Sequence, residues 1–141
     1  MVALLGMVVL IAAPAVAEMG KNQTLEIAAR NLAFDMRKSQ QKAITAGWTQ
    51  TIEFRDHLNE YRLKDGKTGD YIKVDYPEGI YVCANNFPGT GSLRTLSFTR
   101  SGAPNQGGTL ALENSTGKIL YIILTPATGR VRVSEQPPDN W

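Results

Sequence analysis

The chain is poor in the residues that carry ordinary polar chemistry. Of its 141 residues, Cys83 is the one cysteine and His57 the one histidine. A single cysteine excludes an internal disulfide and a cysteine-rich metal site. Set in an apolar strand segment, Cys83 reads as a small buried hydrophobe. A single histidine excludes a histidine-built metal cluster, and any His-assisted nucleophile would depend on that one residue. An excess of charge is missing as well. Lys and Arg number 15 against 13 Asp and Glu, a net +2, a balance too even to argue by itself for a nucleic-acid surface. No charged residue precedes Glu18.

Other chemical motifs are incomplete. Gly66-Lys67-Thr68 matches the end of a phosphate-binding loop, but the glycine required five positions earlier is Tyr61. Asp65 and Asp70 flank a Gly-rich turn without the spacing of a calcium loop, and the segment reads as turn chemistry. Asn22-Gln23-Thr24 and Asn114-Ser115-Thr116 match a glycosylation pattern short enough to arise by chance. The residues indicate no enzyme, no cofactor and no metal site.

What the chain does have is an uncharged apolar run, MVALLGMVVLIAAPAVA, at its start. Val2 to Ala17 is 16 residues, roughly 24 Å of helix, against a hydrocarbon core of about 30 Å. Three readings stay open. Ala15-Val16-Ala17 has the small-x-small form of a signal-peptide cleavage site, although the basic n-region is missing. A buried core helix is a second reading, with Gly6 and Pro14 as awkward interior residues. The third is a transmembrane helix whose beginning lies upstream of Met1.

From Glu18 to Ala46, the apolar residues Leu25, Ala28, Ala29, Leu32, Met36, Ala43 and Ile44 fall on one helical stripe. Glu26, Arg30, Asp35, Arg37, Lys38 and Lys42 lie mainly on the other side. Lys and Arg gather in the C-terminal half, where they suit the helix dipole, and Gly47 is placed as a left-handed cap. Ile27 and Phe34 form a second patch, read either as a widened core face or as contact with a neighbouring subunit. Beyond Gly47 the rhythm becomes that of about eight short strands, as in an antiparallel meander or small sandwich. Their segments are 48–54, 58–63, 71–74, 80–83, 93–99, 109–112, 119–125 and 130–133. Ile119 to Leu124 is the most continuously apolar and is expected inside a sheet.

In the last strand, alternation places Arg130 and Arg132 on one face and Val131 and Val133 on the other. Two solvated arginines suit an edge strand that resists sheet-to-sheet pairing. They also make a cationic strip able to grip phosphates, with Lys118 as a third expected contact. Three contacts would bind weakly and with salt sensitivity.

Three stretches together resemble the type IV pilin-like minor pseudopilins of the FimT and GspH type. They are LLGMVVLIAAPAV, LEIAARNLAFDMRKSQQKAITAG, and SFTRSGAPNQGGTLAL followed by ILYIILTPATGRVRV. They cover most of the chain, and the last is the most specific. The resemblance implies an α+β pilin-like fold, a long N-terminal helix packed on an antiparallel sheet or small sandwich. It divides the chain into a truncated membrane or pilin helix segment (1–17), an amphipathic helix (18–47) and a β-rich globular domain (48–141). Leu4, Leu5, Gly6, Val8, Val9, Leu10, Ile11 and Pro14 would form the membrane and assembly helix.

The start departs from the family. The prepilin leader, its cleavage site and the glutamate at the fifth mature position are absent, and Ile11 stands at the glutamate's place. Aligning Gly6 and Pro14 with the family puts Met1 inside the mature helix. About eight further residues upstream would complete a span of about 24. The resemblance implies a non-catalytic subunit of a type IV pilus, type II secretion or DNA-uptake machine. It would be single-pass in the inner or cytoplasmic membrane, with its β domain outside the cytoplasm. Its implied partners are other pilin or pseudopilin subunits, the membrane, double-stranded DNA, and a prepilin peptidase if the full start exists. Gly129-Arg130-Val131-Arg132 matches a Gly-Arg-x-Arg motif tied to DNA binding in some FimT-type members. The alternative is a secreted β-rich binding or structural protein cleaved after Ala17.

Overall fold

The computed structural model describes the backbone of residues 2–141 and the side chains of residues 14–141. One helix, α1, runs from Val2 to Ala46 through Pro14 without interruption. Leu4, Leu5, Gly6, Val8, Val9, Leu10 and Ile11 lie outside the residues whose surroundings are described. Among the described residues no helix is long and apolar enough to cross a membrane. Pro14 to Lys21 are all exposed, so this stretch of α1 stands clear of the rest of the molecule. Packing begins at Asn22 and Leu25. The expected cap forms, since Gly47 takes φ +74° and its N–H donates to the Ala43 carbonyl at 3.0 Å. The last turn of α1, however, carries no basic residue to meet the helix dipole.

Nine strands follow α1. They are β1 Gln50–Arg55, β2 Glu60–Asp65, β3 Tyr71–Asp75, β4 Tyr81–Asn85, β5 Gly89–Thr90, β6 Leu93–Phe98, β7 Gly108–Glu113, β8 Ile119–Thr125 and β9 Arg130–Ser134. They form two sheets, one ordered β3-β2-β1-β6-β5 and the other β4-β7-β8-β9. The strands pair antiparallel in both sheets, as the short alternating segments require. The α+β architecture is therefore as the sequence indicates. The apolar strand β8 lies between β7 and β9, inside its sheet.

The helix rests on both sheets, and its stripe meets their inner faces. Leu25, Leu32 and Met36 are fully buried with Ile52, Phe54, Phe87, Phe98, Leu110 and Ile122. Phe54 and Phe87 stack with centroids 5.1 Å apart, joining β1 to the segment before β5. Asp35, on the flank of the stripe, accepts a hydrogen bond from the Tyr61 hydroxyl in β2. Burial and that bond push the Tyr61 phenol well above its usual range.

Several details differ from what the sequence suggests. Ile27 and Phe34 are not a widened core face: they are 57% and 61% exposed, because they point away from both sheets. Ile44, expected on the stripe, is 48% exposed; it sits at the stripe's margin, against Gly102. Ala33 and Ser39 are buried in its place. Cys83 is exposed rather than buried. Strand β4 is an edge strand, and its alternation turns Tyr81 and Cys83 outwards while Val82 packs against the core. Residues 87–91, expected as loop, contribute β5, paired with Leu93 and Arg94. Leu58 belongs to a 3-10 turn, Asp56–Leu58, and β2 starts only at Glu60.

Candidate functional site

The candidate strip lies on β9, and the turn before it decides how its arginines are presented. Gly129 adopts φ +64°, a left-handed conformation that favours glycine. A Cβ there would also come within 2.5 Å of the Gln40 amide nitrogen on α1. The Gly129 N–H donates to the Thr125 carbonyl at 2.9 Å, and the Arg130 N–H donates to the Thr128 hydroxyl at 3.3 Å. The turn is thus closed from within and seated on the helix. Gln40 in turn donates to the Gly102 carbonyl at 2.8 Å, fastening the loop after β6 to the same point.

From this turn β9 runs as the outermost strand of its sheet. Val131 faces the core, while Arg130 and Arg132 are exposed on the opposite face. Arg130 pairs across the ladder with Thr125, and Arg132 with Ile123. Among the described residues neither arginine forms an ion pair. Both guanidinium groups are therefore available to an anionic partner.

The structure does not bring Lys118 to them. Lys118 precedes Ile119 at the far end of the β8–β9 ladder, whereas Arg130 faces Thr125 at the other end. Its ammonium lies 3.7 Å from the Glu135 carboxylate instead. Arg37 meets the same strand from the helix side, through the strand's backbone. It reaches from α1 to donate to the Val131 carbonyl at 2.8 Å, between the two arginines in sequence. Helical spacing alone puts Arg37 on the polar side of α1. Its position next to the buried Met36 is the one signal in the sequence that it could reach a sheet edge.

The weaker chemical candidates come apart. His57 sits exposed in the Asp56–Leu58 turn. The Asp56 side chain there accepts a hydrogen bond from the Asn85 amide at 3.1 Å, and burial raises its pKa. Among the described residues no three or more His, Cys, Asp or Glu side chains gather as a metal site would require. Around Gly66-Lys67-Thr68, the Asp65 carboxylate accepts the Lys67 N–H at 2.8 Å and lies 2.9 Å from the Lys42 ammonium. The Asp65 carboxyl is held down to about 2, first by the Lys42 hydrogen bond and then by the Lys67 amide. This segment is a capped turn tied to α1. Asn114 serves the fold as well, since it is 2% exposed and its amide donates to the Asn22 side chain at 2.9 Å.

No protein-family model and no curated protein matches the sequence. Solved structures do match the fold. The type IV minor pilin FimU of Pseudomonas aeruginosa superimposes with a TM-score of 0.64, covering 86% of this chain and 97% of that one at 15% identity. A second crystal form of FimU gives 0.62, with 82% and 98% coverage at 16% identity. The minor pseudopilin EpsH from the type 2 secretion system of Vibrio cholerae gives 0.63, with 78% and 95% coverage at 12% identity. The chain therefore has the fold of the minor pilins and minor pseudopilins, one long N-terminal helix packed on antiparallel sheets.

Proposed function

We propose that this chain is a non-catalytic subunit of a pilus or pseudopilus. It is held by the N-terminal segment 1–17 in the inner or cytoplasmic membrane, with the β domain 48–141 outside the cytoplasm. The amphipathic segment 18–47 joins the two. The observation that carries this reading is the exposed helix: nothing else among the described residues covers Pro14 to Lys21. An uncovered helix that continues an apolar run gains most by packing into a membrane and then against other helices. The outward-facing Ile27 and Phe34 extend that contact surface along α1. Other pilin-type subunits are the partners this geometry suits, and a prepilin peptidase would act on any leader upstream. A photo-crosslinking residue placed at Phe34 in cells is expected to trap another pilin-type subunit. Recovery of the chain without any such adduct would overturn the reading.

Double-stranded DNA is a finer reading, favoured by two exposed arginines on one face of β9. With about two free phosphate contacts, affinity should fall with salt at a log–log slope near about −2. In a low-salt gel-shift assay on the full chain in detergent, Arg130→Gln with Arg132→Gln should abolish DNA retardation and leave the melting temperature unchanged. Absence of retardation by the unmodified chain would contradict this reading.

A further inference from the structure

The geometry points to a binding cleft for an acidic sugar on the outer face of the β4-β7-β8-β9 sheet, where the segment 135–141 folds back against β8. Nothing in the pilus reading calls for this site, and it does not rest on that reading.

The cleft is a broad groove of about 690 Å³ that is open to solvent, and its polar side chains are exposed. Its polar walls are Asn86, Asn105, Gln106, Arg132, Asp139 and Asn140. Ile123, Pro126 and Pro138 supply apolar surface. The returning segment is fastened by Trp141, whose ring meets Tyr121 edge-on at 5.7 Å. The loop before β7 closes the other side. A Cβ at Gly107 would collide with the Pro126 ring, so only glycine lets the loop approach the end of β8 so closely.

Two of the carboxamides are oriented by the same device. The Asn86 N–H donates to the Thr109 carbonyl at 3.1 Å, and the Asn86 side-chain oxygen accepts the Thr109 N–H at 2.6 Å. The Asn105 N–H donates to the Ser97 carbonyl at 2.8 Å, and its side-chain oxygen accepts the Ser97 N–H at 2.9 Å. A backbone N–H only donates, so each carboxamide oxygen is committed to the sheet. Each NH2 group is thereby left as a fixed donor.

The chemistry of these groups selects a ligand class. Arg132, free of ion pairs among the described residues, supplies a fork for one carboxylate or phosphate. Fixed amide donors beside the Asp139 acceptor suit hydroxyl groups, which both donate and accept. The proline and isoleucine surfaces suit the C–H faces of a sugar ring. A bare oxyanion would leave Asp139 opposed to it, and a neutral sugar would leave Arg132 unused. A hydroxylated ring with one anionic substituent uses both.

The test titrates the full chain, in amine-oxide micelles, with D-glucuronate, glucose 6-phosphate and glucose. The side-chain amide resonances of Asn86 and Asn105 are followed by NMR. Saturable shifts are expected for at least one anionic sugar, with affinity roughly tenfold above that for glucose. Which of the two binds better identifies the anionic group as carboxylate or phosphate. Arg132→Gln should bring the anionic sugars down to the affinity of glucose. Asn105→Asp keeps an oxygen for the Ser97 N–H but removes the donor, so it should lose binding with an unchanged melting curve. The proposal is overturned if none of the sugars gives a saturable shift. It is equally overturned if Arg132→Gln leaves the anionic-sugar affinity unchanged, or if a DNA duplex shifts these resonances while the sugars do not.

Discussion

Gly129 does two things that no other residue does without strain: it takes φ +64° and leaves room for the Gln40 amide. Gly129→Ala should therefore cost about 1–2 kcal/mol, read as a lower urea midpoint. An unchanged midpoint would mean that the turn tolerates a side chain. Asp65 offers a residue-scale test in pH. Its folded pKa is depressed to about 2 by Lys42 and the Lys67 amide. A depressed carboxyl contributes stability above its unfolded value, and that contribution fades as pH falls from about 4 to about 2. Asp65→Asn should flatten the loss of stability across that window, and an identical acid slope in the variant would refute the assignment. At this scale the sequence is partly legible. Gly47 and the alternation of Arg130 and Arg132 follow from local rules, since a cap and a strand face depend on nearest neighbours. Cys83 does not, because its exposure depends on β4 lying at a sheet edge, which no local pattern records.

Among the elements, α1 is the most readable. Its stripe of Leu25, Ala28, Ala29, Leu32, Met36 and Ala43 is buried as its spacing requires. The flanks are harder: Arg37 and Asp35 look like ordinary surface charges in sequence, yet both bond to strands. Side-chain length and sheet position decide such contacts, and neither is periodic. The helix is also tied to the β7–β8 turn through Asn114. The Asn114 side-chain oxygen accepts the Thr116 N–H and the Lys118 N–H, each at 3.1 Å, while its amide reaches Asn22. Asn114→Ala should cost about 1–3 kcal/mol, because it strands backbone donors around a buried position. Chemical denaturation followed by circular dichroism reads that loss, and a change too small to detect would show the anchor to be dispensable. The same elements explain Lys118. Its nearness to Arg130 along the chain means little once β8 and β9 pair as a hairpin, which sends Lys118 to the opposite end of the ladder.

For the whole molecule, the division into a helix and a β body is visible in the change of period after Gly47. The split into two sheets is not, since strand order is set by long-range pairing. The cleft behind Arg132 is equally hidden: Asn86, Asn105 and Asp139 come together only through that pairing and the folded-back C-terminal segment. The proposed function rests on the join between apolar run and helix, and on a helix that leaves Pro14 to Lys21 uncovered. The most direct test is the intact mass of the chain recovered from alkali-washed membranes of its own cells. A membrane-retained chain that keeps the run up to Ala17 is the predicted result. A soluble chain beginning at Glu18 would contradict the account and establish a secreted β-rich protein in its place.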